Sequence, residues 1–185
     1  ENGKITYVAS DENVATINEA GEITLIGAGK VTFTVTYGET ANYSAKAASI
    51  TLTVVRDTLV AENFELTNNT AKYDGTKKEV TVTSKVEGIG NVEVKYYQNE
   101  VAVDPINVGS YEVRIEVAES VKYEKATLTV GTLIINKAEQ NEPALSLDKQ
   151  EVKMTEAAPV LTLTNAPMEN GKITYVASDE NVATI

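Results

Sequence analysis

Apolar and polar residues alternate along most of this chain. Ile5, Tyr7 and Ala9 share one face, with Thr6 and Val8 on the other. The cleanest case sets Val31, Phe33, Val35 and Tyr37 inward against Thr32, Thr34 and Thr36, and Ile50, Leu52 and Val54 alternate with Thr51 and Thr53. The same period of two runs through Val80 and Val82, through Val92, Val94 and Tyr96, and through Tyr111, Val113, Ile115 and Val117. Leu128 and Val130 begin another strand, which is expected to break at Gly131 and finish with Leu133, Ile134 and Ile135. Leu145 with Leu147, Val152 with Met154, and Leu161 with Leu163 predict three short strands near the end. A period of two gives strands with one face buried and one wet. No stretch of 1–57 carries the 3.6 period of a helix, so the expected class is all-β.

Turn residues punctuate these strands. Ser10 to Asn13, Asn18 to Gly21, Gly27 to Gly29, Asn68-Asn69, Gly88 to Asn91, Gln98 to Glu100 and Pro105 to Gly109 all read as turns or loops. Asp74-Gly75 predicts a tight turn, because both residue types tolerate positive φ. About seven strands between 58 and 137, with turns every 8–12 residues, predict an immunoglobulin-like sandwich. Gly109-Ser110-Tyr111-Glu112-Val113 has the pattern of a tyrosine corner, in which Tyr111 would hydrogen-bond back to nearby backbone.

The chain also repeats itself. Residues 1–17, ENGKITYVASDENVATI, recur unchanged at 169–185, 168 positions on. A period of that size is expected to hold two domains in a tandem array. The boundaries read as 1–57, the C-terminal half of one domain; 58–137, a complete domain; and 138–185, the N-terminal half of the next, overlapping 1–17. Joining 138–168 to 1–57 gives one ordinary sandwich of 88 residues. With no initiator Met and a start in mid-strand, the chain reads as a window on a longer array.

Two resemblances sharpen this. Ile5 to Ile17, then Gly21, then Gly27-Ala28-Gly29-Lys30-Val31-Thr32-Phe33-Thr34-Val35, resemble the second half of a bacterial immunoglobulin-like domain of group 2, with Asp11-Glu12 in place of the family's Asn-Pro. Residues 138–185 look like the first half of the same domain. Residues 58–137 resemble the MBG repeats of large bacterial surface proteins, through Tyr73-Asp74-Gly75, Pro105 to Tyr111, and Lys122-Tyr123 before Leu128-Thr129-Val130. The resemblances imply tandem immunoglobulin-like β-sandwiches in an extracellular, often adhesive, repeat array.

Composition agrees with a globular β chain. It has 23 Thr and 23 Val, 42% hydrophobic residues and only 6% aromatics. The net charge is −11, which disfavours nucleic acid and anionic membranes as partners. No run of transmembrane length is present, so no membrane insertion is expected of this segment. Cys, His and Trp are absent, which removes disulfides, the usual zinc, copper and iron ligand sets, and the Ser-His-Asp and Cys-His triads. No phosphate-binding loop and no Asp-rich calcium loop is found. The expectation is therefore no enzyme, no cofactor and no metal.

The residues singled out are Tyr111 and Gly109 at the corner, Asp74 and Gly75 at the turn, and Tyr97 as a candidate ligand contact. In Tyr96-Tyr97 one ring should be core and the other exposed. The expected function is a structural repeat unit of a bacterial surface stalk, fibre or adhesin. Its partners would be identical units, head to tail, with a host or cell-surface glycan or protein as a further candidate. The alternative is a carbohydrate- or protein-binding module of a secreted protein.

Overall fold

A computed structural model describes residues 3–185. It is all-β, with no α-helix among the described residues. The chain divides into two units, 1–136 and 137–185.

The first 57 residues of unit one carry β1 (Ile5–Ala9), β2 (Ala15–Ile17), β3 (Ile23–Leu25), β4 (Gly29–Tyr37) and β5 (Lys46–Val54). Strands β1, β4 and β5 form one antiparallel sheet with β4 in the centre, and β2 and β3 form a separate pair. Val14 and Ala15 pack on Val31 and Phe33 to make a four-residue core. The core stops there. Register places Ile50 beside Phe33 and Leu52 beside Val31 on the same face, yet Phe33 is 6% exposed and Ile50 73%. Tyr37, expected to point inward, is also exposed. The alternation is as the sequence dictates, but nothing in this unit covers half of the face.

Residues 58–136 carry β6 (Phe64–Thr67), β7 (Thr70–Lys72), β8 (Thr81–Ser84), β9 (Val92–Gln98), β10 (Val101–Ala102), β11 (Gly109–Val117) and β12 (Ala126–Asn136). One sheet runs β10-β9-β11-β12-β7, and β6 pairs with β8 across from it. Two clusters fill the space between. Tyr96, Tyr111, Val113, Leu133 and Ile135 gather with Leu66 of β6. Leu59, Phe64, Ile115 and Val117 gather with Val82 of β8. Both layers contribute, which is the arrangement of a sandwich.

Two local expectations need correcting here. The last strand is not broken at Gly131 but runs unbroken through Asn136, with a bulge. Val113 pairs with Gly131 and Arg114 with Thr129, leaving Val130 without a partner on β11. The extra residue moves the inward set from Leu128 and Val130 to Leu133 and Ile135. A Cβ at Gly131 would lie 2.6 Å from Leu66 Cδ2, so the bulge brings backbone against the facing layer. Asp74-Gly75 is not a two-residue hairpin turn, since β7 pairs in parallel with β12 and only Gly75, at φ 78°, is left-handed. The two-residue tip is Asn99-Glu100, both with positive φ, joining β9 to β10.

The join between 57 and 58 is tied down. Asp57 N–H donates to the Lys122 carbonyl at 2.8 Å, and Glu124 N–H donates to the Asp57 carbonyl at 2.9 Å. Arg56 Nε donates to the Ser120 carbonyl at 2.7 Å, and its guanidinium meets Glu119 at 3.2 Å.

Unit two holds β13 (Leu145–Leu147) and β14 (Leu161–Leu163), an antiparallel pair. Side-chain amides stitch its flanks: Asn141 Nδ2 donates to the Ala166 carbonyl and Asn165 Nδ2 to the Glu142 carbonyl, each at 2.9 Å. The expected strand at Val152 and Met154 does not form; that stretch has no partner strand, and Met154 is fully exposed.

The repeated seventeen residues offer an internal comparison. The turn is the same in both copies. Asn13 N–H donates to Asp11 Oδ1 at 2.9 Å, and Asn181 N–H to Asp179 Oδ1 at 2.9 Å. The strands are not the same. Ile5 to Ala9 is zipped to β4, whereas Ile173 to Ala177 is in no strand. Val14 is 6% exposed and its equivalent Val182 is 81% exposed. A side chain–backbone turn needs only its own residues, but a strand needs a neighbour.

Candidate functional site

The outer face of the five-stranded sheet holds the residues with chemical character. β11 places Glu112, Arg114 and Glu116 outward, because Tyr111, Val113, Ile115 and Val117 take the inward positions. Across β9, Arg114 lies opposite Lys95 and Glu116 opposite Glu93, so like charges face each other directly. One cross-strand diagonal and one pair along β11 compensate. Lys95 Nζ reaches Glu116 at 2.7 Å, and Arg114 Nε reaches Glu112 at 2.5 Å. The hydrogen bond to Glu116 raises the Lys95 pKa above its usual value. Arg114, and then the Thr129 hydroxyl at 2.7 Å, hold the Glu112 carboxyl below the ordinary range.

Tyr97 belongs to this lattice. The guanidinium carbon of Arg114 sits 4.4 Å from the centre of its ring, a cation–π distance. Arg114 is held there from both sides, since its other arm meets Glu100 at the β9–β10 tip at 2.5 Å. One face of the Tyr97 ring is thus already occupied. Tyr97 borders an open, shallow groove with Gln98, Ser110, Glu112, Thr129 and Thr132. Tyr96 points inward, 7% exposed, with its hydroxyl accepting the Val80 N–H at 2.9 Å.

Tyr111 is 2% exposed, and its hydroxyl donates to the Asn107 carbonyl at 2.6 Å, four residues upstream. This bond clips the 105–109 loop to the start of β11. Gly109 opens that strand beside Gln98. Asp74 accepts from Thr76 N–H at 2.9 Å and from its hydroxyl at 2.6 Å, and it pairs with Lys78. Lys78 first, then Thr76, holds the Asp74 carboxyl well below the usual carboxylate range. These four residues shape local structure and do not converge with Tyr97. Among the described residues, no group of three or more acidic side chains is placed to hold a metal ion.

Each unit also exposes apolar side chains. Tyr7, Ile17, Ile23, Phe33, Val35, Ala48 and Ile50 line a groove between the β2–β3 pair and β5. In unit two, Leu145 pairs with Leu163 and Leu147 with Leu161, which puts four leucines on one face of the β13–β14 pair. Leu145 and Leu147 are exposed. Alternation alone had marked these residues as core; the missing covering layer could be inferred only from the repeat.

Residues 61–139 match the MBG domain. The match spans the two filled core clusters except for Leu59. No curated protein matches the chain. MBG domains occur in bacterial surface proteins. No helix among the described residues is long and apolar enough to cross a membrane.

Proposed function

We propose that the chain is a structural repeat unit of an extracellular bacterial surface stalk, fibre or adhesin, acting by spacing and by domain–domain assembly. In this reading the MBG segment is a complete sandwich between two halves of a group 2 immunoglobulin-like domain, and the array alternates the two domain types. The observation that carries the reading is the pair of uncovered apolar faces. The groove beside Ile50 lacks a layer, and the leucine face of β13–β14 lacks a base. The seventeen-residue repeat supports the pairing: the sequence that follows β14 is the one already seated on β4. Burying a leucine side chain stabilises by roughly 1.5–3 kcal/mol, so four offer a substantial driving force. The tethered Arg56–Asp57 join supports a spacer role, since a spacer transmits length only if its joints are stiff.

Between separate copies of the chain, the same join would be head to tail. Such a heterologous contact does not close on itself and propagates as a line. Light scattering across a concentration series tests this. The average mass should rise with concentration for the parent chain, and Leu147→Glu should suppress the rise. A parent chain that stays monomeric throughout would refute the assembly reading.

The alternative, a carbohydrate- or protein-binding module, would use Tyr97. Arg114 over the ring weighs against an open stacking platform. Saturable glycan-array binding lost in Tyr97→Ala would favour it over the stalk.

A further inference from the structure

We propose that the outer edge of β5 accepts a parallel strand, residues 151–153 of a second copy, with Val152 opposite Val54. This pairing rests on the assembly reading above and gives the join a register.

The strands before and after residue 58 are built alike. β4 and β11 each run nine residues from a glycine, Gly29–Tyr37 and Gly109–Val117. The same turn follows each: Thr40 N–H donates to the Tyr43 carbonyl, and Ser120 N–H to the Tyr123 carbonyl, both at 2.9 Å. The next strand then returns antiparallel, with Val54 opposite Gly29 and Ile135 opposite Gly109. Val54 is thus the counterpart of Ile135. The far edge of β12 is covered there, because β7 runs parallel to it with Ala71 opposite Ile135. Ile134 N–H donates to the Asn69 carbonyl, and Tyr73 N–H to the Asn136 carbonyl, both at 2.9 Å. Among the described residues no strand takes that place on β5, which ends its sheet. Such an edge is a template for a further strand.

Unit two holds the matching piece. In the complete segment, Phe64–Thr67 is followed by Asn68-Asn69 and then by Thr70–Lys72. Leu145 to Asp148, Lys149-Gln150 and Glu151 to Lys153 repeat that spacing 81 positions on. β13 pairs antiparallel with β14 as β6 does with β8. The counterpart of β7 is therefore 151–153, the stretch with strand residues and no partner strand. The same shift sets Glu151 opposite Thr53, Val152 opposite Val54 and Lys153 opposite Val55. Thr53 N–H would donate to the Gln150 carbonyl, and Met154 N–H to the Val55 carbonyl. Met154, fully exposed, would take the place of Tyr73, which packs on the cluster of Tyr96 and Tyr111. The register is the same whether the two segments belong to separate chains or to successive periods of a longer one.

The chain lacks cysteine, so one introduced thiol can carry a spin label. Nitroxide-labelled Lys153→Cys chain is mixed with nitrogen-15-labelled parent chain, over the concentrations followed by light scattering. The amides of Thr53, Val54 and Val55 should broaden far more than those of Lys46 to Ala48 at the other end of β5, and Thr53 amide exchange should slow as oligomers form. A second variant removes the donor alone. Lys153 carbonyl accepts Glu156 N–H at 2.9 Å, which puts Met154 at the second place of a turn, where proline fits. Met154→Pro should raise the dissociation constant roughly tenfold, and Met154→Leu should leave it unchanged. Oligomers in which 53–55 stay sharp and Thr53 exchanges at its dilute rate would overturn the pairing and leave assembly standing. Broadening centred on Lys46 to Ala48 would overturn the parallel direction, and an unchanged constant in Met154→Pro would overturn the register. A chain that stays monomeric throughout would overturn both the pairing and the assembly reading.

Discussion

Two buried tyrosines of the segment that matches the MBG domain allow a sharp test of which hydrogen bonds hold it. Tyr111 donates to the Asn107 carbonyl at 2.6 Å, whereas Tyr96 accepts the Val80 N–H at 2.9 Å. Replacing either by Phe keeps the ring in the same cluster with Val113, Leu133 and Ile135, so no large cavity opens. What is lost is one hydrogen bond, worth about 1–2 kcal/mol when a partly buried partner is left behind. The partners differ. The Asn107 carbonyl keeps a second lone pair and can recruit water, but the Val80 N–H has a single proton to place. Tyr96→Phe should therefore cost at least as much as Tyr111→Phe. For a domain of this size, each kcal/mol moves the melting midpoint by roughly 4–8 °C. Scanning calorimetry of the full chain should show both variants melting several degrees below the parent, with Tyr96→Phe the lower. A Tyr111→Phe midpoint equal to the parent's would show that its bond does not anchor the loop. A smaller loss for Tyr96→Phe would refute the donor–acceptor argument.

Other expectations follow from particular contacts. The isolated 58–137 fragment should melt cooperatively, since it holds both filled core clusters; a featureless melt would count against its boundaries. Gly131→Ala should destabilise by about 1–3 kcal/mol in chemical denaturation, because its Cβ meets Leu66 at 2.6 Å; an unchanged midpoint would mean the layers shift freely. Asp74 has a folded pKa below its unfolded one, so its ion pair stabilises above the ordinary carboxylate pKa, near 4, and is lost as pH falls further. Asp74→Asn keeps the Thr76 acceptor and removes the ion pair, so the variant should lose less stability than the parent between about pH 4 and pH 2; identical acid melting curves would exclude a role for Lys78.

How much of this was legible in the sequence depends on distance along the chain. The Asp11–Asn13 turn and the Tyr111–Asn107 bond span two and four residues, and local patterns carry such contacts. The phase slip from Leu128 and Val130 to Leu133 and Ile135 was visible too, but a break and a bulge produce the same slip. Only the pairing of β12 with β11 separates them. Arg114 over Tyr97 was out of reach, because it depends on the register of β9 against β11. Val152 and Met154 have strand residues and no strand, and the second copy of the repeat makes the same point with identical letters. Alternation states which face a residue would use. A neighbouring strand decides whether it uses it.

The central claim is that each period adds fixed length to a line of alternating domains. Chains of one, two and three concatenated 168-residue periods, measured for contour length by electron microscopy and small-angle scattering, test it most directly. Strands of about 8 residues at ~3.3 Å each, plus loops, give roughly 35–45 Å per domain and so about 70–90 Å per period. The account predicts a constant increment in that range, with the same domain spacing along every particle. A maximum dimension that grows far less than this per added period would mean that the domains fold back on one another, and would contradict the stalk.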